Sequence, residues 1–218
     1  MQIDIFSDVV CPWCFVGKRR LERALQQRPD ISVEIAWHPF QLNPEMPPEG
    51  VSSEAFFAAK FGSPSQVKSR RAMVIEAGAS VGIQFAFERI EREPNTRDAH
   101  RLIRFAGAKG AADELVEALF QAHFISGRYI GDRNVLATIA GEIGLDRMEV
   151  TAFLGSDAAL IEVTAEERNA RKLGINAVPC YIFERQYAVS GAQESEFFFP
   201  VFDLIANGAD VADNPSTA

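Results

Sequence analysis

Apolar runs of strand character stand near both ends of the chain, around a long middle region whose helices are punctuated by glycines. Ile3, Ile5 and Phe6 mark residues 2–7 as a strand, and residues 31–37 (Ile-Ser-Val-Glu-Ile-Ala-Trp) alternate as a second. Between them, residues 11–27 read as a helix ending near Arg28-Pro29. Two strands joined through a helix form a βαβ unit and should run parallel. Residues 43–50 are proline-rich and read as an exit loop. Helices are then predicted over 53–61, 64–81, 96–109, 112–126, 133–143, 147–154 and 158–173, each followed by a glycine where a C-cap belongs. Asn95, Asp132 and Asp146 are the candidate N-caps. Strand character returns at 180–183 and 187–189 around a Glu184-Arg185-Gln186 turn, and a last helix covers 194–206. The helices share no fixed repeat period, so no solenoid is expected.

The expected architecture is therefore α/β. A βαβ half and a ββα half share one sheet, at residues 1–48 and 161–208, with an all-helical insertion at 49–160. Residues 209–218 are small and polar and are expected to be a disordered tail. Pockets belong at the seam between such units.

Composition narrows the function classes. A net charge of −8 argues against a general nucleic-acid or anionic-membrane surface, which needs clustered positive charge. No apolar run is long enough to span a bilayer. The N-terminus enters a strand at once, without a basic n-region or apolar h-region, so a cytoplasmic location is expected. Seventeen phenylalanines against three tyrosines imply many dry contacts or an apolar groove. Three cysteines do not make a disulfide scaffold, and in a reducing compartment a C-x-x-C is catalytic or metal-binding rather than structural.

That motif is Cys11-Pro12-Trp13-Cys14, at the junction of the first strand and helix. Free N–H groups at a helix start favour negative charge, and the thiolate is the form that attacks disulfides. Pro12 suits the first helical position, and a C-x-x-C in a βαβ context reads as a thioredoxin-like redox centre. Val178-Pro179 precedes the third strand, a place where a proline is tolerated and a cis bond recurs.

The chain resembles the DsbA-like thioredoxin superfamily, in particular its FrnE-like branch of dithiol–disulfide isomerases. The resemblance rests on residues 7–14 (Ser-Asp-Val-Val-Cys-Pro-Trp-Cys) with Gly17-Lys18-Arg19-Arg20, and on residues 37–44 (Trp-His-Pro-Phe-Gln-Leu-Asn-Pro). It continues in Pro94-Asn95-Thr96, Ala99-His100-Arg101-Leu102, Ala177-Val178-Pro179 and Ser190-Gly191-Ala192-Gln193, so it spans nearly the whole chain. It implies a thioredoxin-like fold with a helical insertion and thiol–disulfide exchange. In that scheme Cys11 is the nucleophile, Cys14 resolves the mixed disulfide, and Pro12, Trp13, Val178, Pro179, Asn95 and Gln193 meet the substrate. Related kappa-class glutathione transferases and chromene-carboxylate isomerases hold glutathione at the corner occupied here by residues 190–193, but carry serine where this chain has Cys11. A glutathione-dependent isomerase or transferase is thus the alternative enzyme, and a peptide-binding or chaperone-like module the non-enzymatic one. No metal or resident cofactor is expected. Glutathione could serve as reductant or co-substrate, glutathione or a thioredoxin system as recycling partner, and the substrate is a disulfide-bearing protein or small molecule.

The chain also departs from the family pattern. Ile5 stands where the buried acid is usual; Asp8 either substitutes through water or caps the loop. Trp13 brings no charge to the thiols, so a potential less oxidising than that of a Cys-Pro-His-Cys enzyme is expected. Cys180 is either a small buried hydrophobe or a third thiol able to trap Cys11 or complete a metal site. His38 and His100 are structural residues, or bases or ligands. Asn95 and Thr96 are an N-cap or line the groove, and Lys18, Arg19 and Arg20 form a solvated face or attract an acidic substrate.

Overall fold

The computed structural model describes residues 1–212, with side chains through Asn207. Strands β1 (Gln2–Ser7) and β2 (Glu34–Pro39) run parallel on either side of helix α1 (Pro12–Gln26). Strands β5 (Cys180–Phe183) and β6 (Tyr187–Ser190) form an antiparallel hairpin, and β5 pairs antiparallel with β1. The four-stranded sheet has the order β2-β1-β5-β6, so both ends of the chain build it. The second strand starts later than its alternation predicts, because Glu34 enters register opposite Gln2 after a turn at Arg28–Ile31. Pro39, without an N–H, closes it on the sheet edge, where that loss is tolerated.

Strand alternation sorts the side chains between two layers. Ile3, Ile5, Tyr181 and Phe183 pack against Leu21 and Ala24 of α1 and against Phe198 and Phe202 near the C-terminus. Phe6 lies on the other face, stacked on His38 at 4.8 Å. Helices α4 (Arg97–Gly107), α5 (Ala112–Phe124) and α8 (Leu160–Lys172) pack against β2. The remaining helices of the middle region are α2 (Ser53–Phe61), α3 (Pro64–Ser80), α6 (Arg133–Glu142) and α7 (Arg147–Gly155). Arg101 is fully buried and ties α4 to the α7–α8 link, donating to the carbonyls of Ser156 and Ala158 at 2.5 and 2.8 Å.

Asp132 and Asp146 cap their helices, each accepting from two backbone N–H groups at 2.7–3.1 Å. Residue 127 needs to be glycine, because its φ of 67° is left-handed and a Cβ there would lie 2.3 Å from the Arg89 carbonyl oxygen. Two features differ from the pattern-based reading. A two-stranded antiparallel pair, β3 (Val51–Ser52) with β4 (Arg92–Glu93), brackets α2 and α3. The C-terminal segment opens as a 3₁₀ turn (Ser195–Phe198) and continues as α9 (Phe199–Ala212), so residues 209–212 are helical and not tail. The rest of the expected tail, 213–218, lies outside the described residues.

Candidate active site

The dithiol sits where β1 hands over to α1. Asp8 closes a turn onto the Cys11 N–H at 3.0 Å, and Cys11 is the N-cap of α1, with Pro12 in the first turn. Cys14 lies one turn inside, its N–H on the Cys11 carbonyl at 3.0 Å. Both thiols are free and buried, Cys11 at 5% exposure and Cys14 at 2%. The Cys11 thiol points at the Val178 carbonyl, 3.7 Å away. The Val178–Pro179 bond is cis, and the Pro179 carbonyl accepts from the Gly191 N–H at 2.8 Å. Burial, reinforced by the adjoining Cys11 thiol, pushes the Cys14 thiol well above the ordinary thiol range.

Two walls flank these sulfurs. One is built from α1, β5 and the 190–193 corner. Tyr181 is fully buried there, its hydroxyl so close to Gly17 that an added Cβ would lie 2.2 Å from it. Burial, with the nearby thiols adding to it, raises this phenol well above its ordinary value. The other wall belongs to α2, α3 and α5 and opens as a cavity of about 290 Å³ lined by Cys11, Pro12 and Trp13. Phe56, Phe57, Phe61, Phe87 and Phe124 supply its apolar surface.

The residues expected from the sequence are thus only partly gathered. Cys11, Cys14, Pro12, Trp13, Val178 and Pro179 meet at one point. Asn95 is buried away from the cavity and is one position before the cap, Thr96, whose side chain makes no capping bond. Its carboxamide accepts from the Arg97 N–H at 2.9 Å and donates to the Met46 carbonyl at 2.6 Å, so it holds the start of α4, outside the cavity beside Cys11. Gln193 folds back onto the Ser190 carbonyl at 2.8 Å, in a corner bound to α1 through Arg20 and the Ala192 carbonyl.

Asp8 is committed to structure. Its carboxylate accepts from the Leu42 N–H at 2.7 Å and pairs with His100 at 3.3 Å, both side chains being buried. His38 faces Asp4 at 2.9 Å and Glu166 at 3.8 Å; burial pulls it down, but the two carboxylates outweigh that and raise it. Cys180 is opposite Phe6 in the ladder and so faces away from α1, while Tyr181 faces it. Among the described residues no group of three or more His, Cys, Asp or Glu side chains is placed to hold a metal ion. The basic run on α1 is a correction: Lys18 and Arg20 are buried, not solvated. Lys18 is enclosed by Glu22, Asp113 and Glu117, carboxylates that α1's own sequence reveals only in part.

One residue of the cavity wall carried no signal in the sequence. His123, in an apolar stretch of α5, lines the cavity with Cys11, and burial lowers its imidazole to about 4. No spacing or neighbour marks it; only its helix face, pointing inward with Leu119 and Phe120, would have found it.

Residues 2–200 match the DsbA-like thioredoxin domain. The chain belongs to this family. It is 32% identical to a crystal structure of a probable DsbA oxidoreductase from Streptomyces coelicolor, with a TM-score of 0.86 over 100% of this chain and 93% of that one. The protein YwbO of Bacillus subtilis is 28% identical over 183 residues, 84% of this chain and 86% of the relative. A 2-hydroxychromene-2-carboxylate isomerase (17% identity, TM-score 0.71, 100% of both chains) shares the fold. So does the cytosolic disulfide reductase DsbM of Pseudomonas aeruginosa, solved with GSH (15%, TM-score 0.69, 94% of this chain and 100% of that one). Among the described residues no helix is long and apolar enough to cross a membrane.

Proposed function

We infer that this member of the DsbA-like family is a thiol–disulfide oxidoreductase working by dithiol–disulfide exchange through Cys11 and Cys14, in the FrnE-like manner. The observation that carries the reading is the placement of two free thiols one helical turn apart at the start of α1, the first aimed at the carbonyl before Pro179. The Cys11 thiolate attacks a substrate disulfide, forms a mixed disulfide and releases one substrate thiolate. Cys14 then attacks Cys11 Sγ, releases the second substrate thiolate and leaves the pair oxidised. Val178 and Pro179 align the substrate backbone, and Pro12 and Trp13 form the rim it crosses. The work would be cytoplasmic, and glutathione or a thioredoxin system would return the pair to the dithiol; the GSH-bound DsbM structure supports the former.

The test is the Cys11–Cys14 redox equilibrium in glutathione buffers, read by thiol trapping and mass spectrometry on wild type, Cys11→Ser and Cys180→Ala. A reversible two-electron couple is expected, abolished by Cys11→Ser and unmoved by Cys180→Ala. Absence of a Cys11–Cys14 disulfide, or stable retention of glutathione on a Cys11→Ser protein, would turn the assignment toward glutathione-dependent isomerisation or transfer.

A further inference from the structure

The cavity beside Cys11 has a composition that dithiol exchange alone does not require. Phe56, Phe57 and Phe61 of α2 form a continuous aromatic strip, with centroids 5.2 and 5.8 Å apart. Three cations lie on it. Arg70 sits over Phe61 at 4.7 Å, Arg71 over Phe57 at 4.9 Å, and Lys60 over Phe56 at 5.1 Å. All three line the cavity, and among the described residues none of them pairs with a carboxylate. Arg71 goes further, since its Nε is buried with no partner.

The lining holds one carboxylate, Glu93, which is buried and engaged by the Ser53 hydroxyl at 2.8 Å. Burial raises this carboxyl, while the Ser53 hydroxyl and the nearby Arg71 and Lys60 act against that rise, so one carboxylate is set against three cations. A local excess of positive charge thus stands at the nucleophile of a chain whose net charge is −8. A ring face orders a cation without neutralising it, so the charge remains available to a ligand. A cavity of about 290 Å³ is near the lower end for small-molecule sites and narrow for folded protein surface.

We propose that this cavity is a specificity site for a low-molecular-weight organic disulfide that carries a carboxylate or similar anionic group on an aromatic or otherwise apolar body. The apolar body packs on Phe56, Phe57 and Phe61, the anion meets Lys60, Arg70 and Arg71, and the disulfide is presented to Cys11. The proposal rests on Cys11 being the nucleophile. In the reaction, Cys11 S⁻ bonds to one substrate sulfur as the substrate S–S bond breaks, and one thiolate leaves. Cys14, losing its proton to solvent, then forms the Cys11–Cys14 bond and expels the second thiolate. The substrate gains the two electrons that the dithiol loses.

The test compares two aromatic disulfides of similar size, dithiobis-nitrobenzoate, which is anionic, and dithiodipyridine, which is neutral. Stopped-flow rate constants for the reduced protein are each divided by that of free 2-mercaptoethanol, a thiol with no other charge, with the same reagent, and Cys11–Cys14 disulfide formation is checked by mass spectrometry. The normalised preference of wild type for the anionic reagent is expected to be about tenfold. It should fall toward one in the exposed-residue variant Lys60→Gln/Arg70→Gln, and in wild type as salt is raised. A wild-type preference near one, or a preference that neither substitution nor salt changes, overturns the specificity site while leaving dithiol exchange standing. Failure of Cys11 to react with either reagent overturns both.

Discussion

The dithiol lies between two walls that both carry clustered cations, yet the clusters are in opposite states. On α1, Lys18 is enclosed by Glu22, Asp113 at 3.1 Å and Glu117 at 3.4 Å, and Arg20 holds the Ala192 carbonyl and Glu194 at 2.5 Å each. On α2 and α3, Lys60, Arg70 and Arg71 rest on phenylalanine faces instead. The difference lies in what the rest of the fold brings near. Helix α5 delivers carboxylates to α1, whereas the second wall meets its cations with ring faces and a single nearby carboxylate, Glu93. The first wall spends its charge on fixing the sheet and the corner against the dithiol helix. The second leaves its charge open to solvent and ligand.

The largest way to sharpen this contrast is acid. His123, on the cavity wall, is held neutral with a value of about 4 against an ordinary 6.5. The unfolded chain therefore takes up this proton first. The stability tied to His123 is present above pH 6.5 and is lost as pH falls toward 4, by about 3 kcal/mol. On the ion-paired wall, burial raises Glu117 but its bonds to Gln121 and Arg19 outweigh that, so its carboxyl is lowered from 4.5. Its contribution persists above pH 4.5 and goes only as pH drops through the lowered value. Urea melts across this range should lose stability in two windows, and His123→Leu should remove the upper one.

Next in size is Gly17→Ala, which drives a methyl group into the Tyr181 hydroxyl and toward the Pro179 ring. A loss of about 2–3 kcal/mol is expected from overpacking, measured by denaturant midpoint. Lys18→Met strands the carboxylates of Glu22, Asp113 and Glu117, which remain partly exposed, and should cost about 1–2 kcal/mol. The smallest effect belongs to the other wall. Lys60→Gln and Arg70→Gln should shift stability by less than about 0.5 kcal/mol, because both residues are exposed and bonded to no carboxylate. A loss near that of Lys18→Met would mean that the second cluster is also structural.

The sheet halves, the dithiol junction and most helices were legible because each has a local cause: alternation, a proline in the first turn, an aspartate cap or a terminal glycine. The β3–β4 pair was not, since two residues a strand carry no period and the pairing joins residue 51 to residue 93. Lys18 and Arg20 misread for a related reason. A charge run on a helix looks solvated until the partners of distant elements are known, and Asp113 lies 95 residues away. Asn95 was recognised as important at the start of α4, but its bonds to Met46 and Gln41 belong to the tertiary structure. His123 stayed invisible because a buried neutral imidazole looks, in sequence, like any other core position of an amphipathic helix.

The raised Cys14 thiol has a kinetic meaning. Burial that keeps the proton on Cys14 slows the second displacement relative to an exposed resolving thiol, since only the thiolate attacks, so a substrate joined to Cys11 would dwell there longer. Dwell time decides the outcome for a substrate with several cysteines. A long-lived adduct gives the substrate's own thiols time to attack and rearrange its disulfides, whereas a short-lived one ends in net reduction. The depth of one sulfur beneath α1 would thereby set the partition between shuffling a bond and removing it.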